Sequence, residues 1–360
     1  MDRHSLEQLG WNAGFAEAMA TFSHEGVVPA RVIAEHRGLY RVAGSSGEMP
    51  AEVTGRMMFL AGERLDYPVV GDWVAVSVLD QGARAVIHAV LPRRTVLARK
   101  HAGKKLEGQA IAANIDIIFI VIGLDHNFNL NRVERYLAVA AGSGANPVVL
   151  LSKSDLASDA EEKAGAVSDR TDNQSVLAVS ARTGAGVEKV RELLSGNRTG
   201  CFIGSSGVGK SSIINRLAGG ELLRTEEVRE ADSKGRHTTT HRELFVLESG
   251  GMVIDTPGMR ELGLWDSVEG IERAFGDIEE LGLDCAFRDC THRTEPKCAV
   301  RQAVEAGILE AGRYESFLKL EREQEHLDSR TDRFKQQEKK ARDKTRSKAV
   351  KDFFKINGRE

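Results

Sequence analysis

One stretch constrains this 360-residue chain more than any other: Gly204-Ser205-Ser206-Gly207-Val208-Gly209-Lys210-Ser211. It fits G-x-x-x-x-G-K-[ST], the pattern of a loop that cradles nucleotide phosphates. Thr199 to Ile203 before it reads as a short buried strand, and Ser212 to Leu217 after it reads as the first turns of a helix. In that context the glycines let successive backbone N–H groups turn onto phosphate oxygens at the positive end of the helix dipole. Lys210 is then placed for the β- and γ-phosphates, the Ser211 hydroxyl for Mg2+, and Ser212 beside the same nucleotide.

The residues around this loop alternate strand and helix over about 109–267, as an α/β sheet with crossover helices does. Strands are expected at 116–123, 147–151, 175–179, 243–247 and 251–254, and helices at 130–142, 159–169 and 186–194. After the strand at 147–151 comes Ser152-Lys153-Ser154-Asp155. A Lys-x-Asp in that place reads guanine: Asp155 accepts from N1–H and the 2-amino group, a donor pair adenine lacks. The Lys153 stem lies along the base face. Ser180-Ala181 follows the next strand and places the Ala181 N–H for guanine O6. These elements favour GTP over ATP. Ser152 stands where Asn or Thr is usual; its shorter reach predicts retained specificity with altered affinity.

Asp255-Thr256-Pro257-Gly258 ends a later strand and matches the D-x-x-G switch, with Asp255 acting on Mg2+ through water and the Gly258 N–H on the γ-phosphate. Gly235 to His241 has the position and the threonines of a first switch loop. Thr239 is the expected Mg2+ and γ-phosphate ligand and Thr238 the second choice, though three adjacent threonines also suit the start of a strand. Met259 follows the switch glycine, where many GTPases place a water-positioning Gln. Methionine cannot orient water, so His237 becomes the candidate, and low intrinsic turnover is expected. The expected catalytic set is Lys210, His237, Thr239, Asp255 and Gly258. Base-reading elements (152–155, 180–181) precede phosphate elements (204–211, 238–240, 255–258), the reverse of the usual order; the chain resembles a circularly permuted GTPase.

The flanks are separate units. Residues 1–26 form a polar arm with one short helix around 11–19 and no assignable chemistry. Residues 27–92 show five short alternating strands punctuated by glycine, which suits a small barrel of the OB type. Such barrels bind nucleic acid or serve as protein-binding or spacer modules. Residues 93–108, with Arg93, Arg94, Arg99, Lys100, Lys104 and Lys105, read as a basic linker, either a phosphate-backbone contact or an exposed tether.

Beyond residue 267, Cys285-x4-Cys290-x-His292-x5-Cys298 gathers three thiols and an imidazole within fourteen residues, the donor set of one structural tetrahedral Zn2+. Zinc then ties a small helical domain over 268–325. Cys201, on the phosphate-loop strand, reads as a buried apolar residue. The tail at 326–360 is basic: from 329 on it holds 12 Lys/Arg against 5 Asp/Glu, whereas the whole chain carries −3. A polyanionic partner and a solvated helix end account for it equally well. No signal peptide and no bilayer-length apolar run is visible, and four cysteines without a secretory signal point to a reducing compartment.

A barrel, a permuted set of G-S-S-G-V-G-K-S-S, G-R-H-T-T-T and D-T-P-G motifs, and C-x4-C-x-H-x5-C together resemble the ribosome small-subunit-dependent GTPase A (RsgA) family, over about residues 27–325. The resemblance implies a monomeric, cytoplasmic bacterial GTPase that binds GTP and GDP with Mg2+. It implies association with the 30S subunit late in maturation, contact with 16S rRNA, and subunit-stimulated turnover without a membrane. Ser152, the long N-terminal arm and the basic tail depart from the pattern. Two other readings are a nucleotide-gated RNA-binding module with incidental turnover and another P-loop NTPase.

Overall fold

Alternating burial over 39–42, 47–53 and 84–87 gives three strands of the N-terminal barrel one dry face, as period-2 patterning does, whereas 30–33 and 73–76 are buried on both faces. The barrel strands are β1 (Val27–His36), β2 (Leu39–Gly44), β3 (Gly47–Val53), β4 (Trp73–Leu79) and β5 (Arg84–Val90). β1 pairs with β2, β2 with β3, β3 in parallel with β5, β5 with β4, and β4 returns to β1. Closure leaves no free edge within the barrel. Val32, Val42, Val74, Val76 and Ile87 fill its interior. This computed structural model describes residues 4–22, 26–36, 38–62, 64–100, 108–125, 128–171, 174–223, 242–255, 271 and 273–325.

The N-terminal arm is docked on this barrel. Helix α1 (Ala13–Ala20) is capped by Asn12, whose Oδ1 accepts from the Gly14 and Phe15 N–H groups at 3.1 and 3.3 Å. Trp11 and Phe15 lie against Trp73, with ring centroids 4.6 and 5.8 Å apart. A second short helix, α2 (Gly55–Leu60), follows β3. The segment read as a linker is partly regular. β6 (Val96–Lys100) pairs antiparallel with β7 (Gly108–Ala113) as a two-stranded ribbon. Val96 and Leu97, with Ala110 to Ala113, supply apolar positions that the lysines and arginines outweigh in composition; Leu97, Ile111 and Ala112 are buried in the main core.

The central sheet runs β10 (Val176–Val179), β9 (Asn146–Ser152), β8 (Ile117–Gly123), β11 (Thr199–Ile203), β13 (Met252–Asp255), β12 (Arg242–Val246). All are parallel except β12, which runs antiparallel to β13. β8 is buried at every residue, as expected of a parallel strand covered on both faces. Helices α3 (Leu130–Ser143), α4 (Ala160–Arg170), α5 (Val187–Leu194) and α6 (Lys210–Ala218) follow β8, β9, β10 and β11 in turn. β12 also pairs with β1, so barrel and central sheet are one eleven-stranded sheet. Arg31 of β1 crosses this junction fully buried. Its guanidinium donates to Leu9 O (2.5 Å), Gly71 O (3.2 Å), Asn114 O (3.2 Å) and Thr199 Oγ1 (2.9 Å). Burial pushes its pKa down to about 10, with Asp116 and Asp72 opposing, so it stays charged at neutral pH.

The C-terminal region is helical. α7 (Gly276–Gly282) and α8 (Ala299–Glu305) precede helix α9, which runs over 311–325. Phe275, Ile278, Val300, Phe317 and Leu320 form its core, and Ala138 of α3 joins them. A buried charge network fastens it to the central domain. Arg170 of α4 and Arg313 of α9 both donate to Glu134 Oε1 of α3, at 3.0 and 3.2 Å. Arg313 also donates to Asp277 Oδ2 at 2.7 Å and to Arg170 O at 2.8 Å.

Candidate nucleotide site and metal centre

The phosphate loop sits where the expected strand and helix place it, between β11 and α6. Gly204 has φ +145°, and a Cβ there would stand 2.3 Å from Val121 O, so only glycine fits against β8. Gly209 caps α6 in the left-handed region at φ +94°, and Lys210, Ser211 and Ser212 form the helix's first turn. Lys210 Nζ donates to Gly204 O at 2.8 Å and Ser205 O at 2.7 Å, bringing the cation over its own loop. Ser206 and Gly207 form the exposed tip, whereas Val208 points into the core, leaving only its backbone toward a ligand. Asp255 ends β13, which pairs with β11, and so comes to the same carboxyl edge of the sheet. Thr238, Thr239, His237, Gly258 and Met259 lie outside the described residues.

The base-reading elements reach that edge from β9 and β10. Ser152 is 2% exposed, and its Oγ lies 2.5 Å from Val208 O and 3.2 Å from Ile122 O. Its hydroxyl therefore ties β9 to the phosphate loop instead of facing a base. The shorter side chain suffices because the strand end is close to that loop. Ser154 and Asp155 lie on a 3-10 turn. Asp155 Oδ1 accepts from the buried Ser180 hydroxyl at 2.6 Å, which holds the Asp155 carboxyl below its ordinary range. Arg182, which no sequence motif singles out, lies 3.7 Å from Asp155 Oδ2. Asp125 is likewise outside every motif, and its Oδ2 is 2.7 Å from Lys153 Nζ. Its one signal in the sequence is its place just after the buried strand β8. A cleft of about 990 Å³ opens here, lined by Lys153, Asp155, Ala181, Arg182, Gly209 and Ser212 among others. Its donors and acceptors at Lys153, Asp155 and Ala181 suit a purine, and Gly209 and Ser212 bring it to the start of α6 beside the phosphate loop.

The four predicted zinc donors converge: Cys285, Cys290, His292 and Cys298 hold their ligand atoms within 4.8 Å of one another. His292 Nδ1 is 3.5 Å from Cys285 Sγ and 3.4 Å from Cys298 Sγ, and those two sulfurs are 3.9 Å apart. Ligands about 2.0–2.3 Å from one central ion would be spaced in this way, so the donor set fits tetrahedral zinc. His292 has a left-handed φ of +58°, and the Tyr314 hydroxyl donates to its carbonyl at 2.5 Å. Burial lowers the His292 pKa, against Glu279 and Glu295, favouring the neutral imidazole that a metal needs. Burial pushes the Cys285 thiol up, but the Ala299 and Val300 N–H groups at the start of α8 help to hold it below its ordinary value.

Residues 90–265 match the family model described as RsgA GTPase. A relative named small ribosomal subunit biogenesis GTPase RsgA, from Opitutus terrae, is 44% identical over 337 residues, covering 91% of this chain and 92% of its own. This chain belongs to the RsgA GTPase family. A second such relative, RsgA 2 of Lactiplantibacillus plantarum, is 44% identical over 83% of this chain and 84% of its own. Among solved structures, YjeQ from Thermotoga maritima matches with a TM-score of 0.63 at 26% identity, over 83% of this chain and 98% of that one. YloQ, described as a circularly permuted GTPase, matches with a TM-score of 0.60 at 25% identity, over 86% and 97%. Family membership and motif order agree: this RsgA-family chain is a circularly permuted GTPase with a barrel before it and a Cys3His cluster after it. Among the described residues no helix is long and apolar enough to cross a membrane.

Proposed function

We propose that this RsgA-family chain binds the 30S ribosomal subunit as a monomer in the cytoplasm, contacts 16S rRNA, and assists late subunit maturation. It hydrolyses GTP to GDP and phosphate at a rate the subunit stimulates. The observation that carries the nucleotide reading is convergence: Lys153, Asp155 and Ala181 line one cleft with Gly209 of the phosphate loop, and Ser152 bonds Val208 O of that loop, although their order in the chain is inverted. The names of the relatives, each a small ribosomal subunit biogenesis GTPase, support the 30S partner. On α2 beside the barrel, Phe59 is 88% exposed, an aromatic face of the kind on which unpaired bases stack. Arg94, Arg99, Lys100, Lys104 and Lys105 and the basic tail add phosphate contacts, whereas Arg93, expected with them, is held by the buried Asp72 at 2.7 Å.

Ser211 and Thr239 would hold Mg2+, which neutralises phosphate charge when bound. Asp255 and the Gly258 N–H act on the same end of the nucleotide. Lys210 and the loop N–H groups stabilise charge on the transferred phosphoryl, the main source of acceleration open to a site that forms no covalent bond to its substrate. His237 positions the attacking water. Cys285, Cys290, His292 and Cys298 hold one structural zinc. GTP turnover measured with and without 30S subunits tests the assignment: a rise of at least about tenfold is expected, and no stimulation at saturating subunit would sink it.

A further inference from the structure

We propose that Asp125 is a positioning residue for guanine recognition, pinning Lys153 as the platform on which the purine lies. The proposal rests on the cleft being a GTP site. Gly123 and Ser152 are register partners of β8 and β9, and the Leu124 N–H donates to Ser152 O at 3.0 Å. That bond locks the two strand ends one residue before Asp125 and Lys153. Lys153 then adopts the left-handed region at φ +58°, and its ammonium meets Asp125 Oδ2 at 2.7 Å, with side chains 28% and 17% exposed.

The two carboxylates at this edge have different partners. Asp155 is held by Ser180 and approached by Arg182, whereas Asp125 holds the lysine. A lysine pinned at its ammonium offers its methylenes as an apolar strip. Unpinned, it would lose rotamer freedom each time a base binds. The pairing also neutralises the ammonium, so it does not draw phosphate oxygens into the base end of the cleft. The contribution of Asp125 is therefore to the purine face, independent of the 2-amino group that Asp155 reads.

Calorimetric titration of the full chain with GDP and with inosine diphosphate, which lacks that amino group, is the test. Asp125→Asn should weaken both by the same factor, roughly five- to twentyfold, whereas Asp155→Asn should weaken GDP more than inosine diphosphate. In turnover the Asp125→Asn loss falls on KM. Lys153→Met should reproduce it, and the double variant should bind no worse than Lys153→Met alone. Asp125→Asn affinity within about twofold of wild type, or losses that multiply in the double variant, overturns the proposal. Should Asp125→Asn fold poorly, a Lys153→Met chain that binds GDP like wild type overturns it as well. A wild-type chain that binds no GDP defeats instead the reading of the cleft.

Discussion

The central domain is held on its two sides by different means. Toward the barrel the join combines a short ladder with a shared apolar core: β1 and β12 pair, Ile33, Trp73 and Leu91 pack in one cluster with Ile118, Ile203 and Ile254, and Arg31 donates to three main-chain carbonyls and one hydroxyl. Toward the C-terminal region the join is side-chain charge, with Glu134, Arg170, Arg313 and Asp277 meeting where Glu134 is 1% and Arg313 5% exposed. A shared apolar core with a ladder at its rim spreads its energy over many groups and tolerates the loss of one polar side chain. A buried charge network concentrates it, because removing one member leaves another desolvated without compensation.

Four substitutions test this contrast. The largest effect is expected inside the C-terminal unit. Cys290→Ser removes one of four zinc donors, and since structural zinc supplies about 10–16 kcal/mol of apparent binding energy, the domain should unfold; metal analysis still finding one zinc per chain would refute the ligand set. Next, Arg313→Ala should cost about 3–5 kcal/mol and split off an early C-terminal transition in calorimetry. A single unshifted transition would show that the apolar contact at Ala138 suffices. Arg31→Met should cost less, about 1–3 kcal/mol, because it strands Leu9 O and Asn114 O but also removes a buried cation. Protection of β1 and β12 amides in hydrogen exchange should persist; its loss would mean that Arg31, and not the core and ladder, holds the barrel. Last, Glu243→Gln removes the exposed partner of Arg41 at 2.9 Å, and should change stability by less than about 1 kcal/mol in denaturant unfolding.

Local signals carried most of the fold. The buried run of β8, the glycine loop and the Cys3His spacing each declare themselves within about fourteen residues, and each lies where its spacing predicts. What stayed hidden is long-range. Arg31 looks like an ordinary strand arginine until Thr199, 168 positions away, is folded beside it. Arg313 and Glu134 are 179 positions apart. The docking of Leu9, Trp11 and Phe15 was masked by the glycines and Asn12 between them and the charged residues before them, and β6 by its neighbouring lysines. Ser152 shows the limit within a recognised motif: its residue type signalled altered affinity, whereas its burial assigns it to the loop carbonyl of Val208.

The pairing of β1 with β12 also bears on how this chain is handled as pieces. β12 is the last strand of the central sheet, and β1 covers its outer edge. A fragment trimmed to the nucleotide-binding domain would present that edge bare, a row of unmatched N–H and C=O groups open to any other extended chain. The barrel thus doubles as an aggregation guard. Solubility of the nucleotide-binding half depends on residues such as Glu35, 207 positions upstream of Arg242 in the strand they shield.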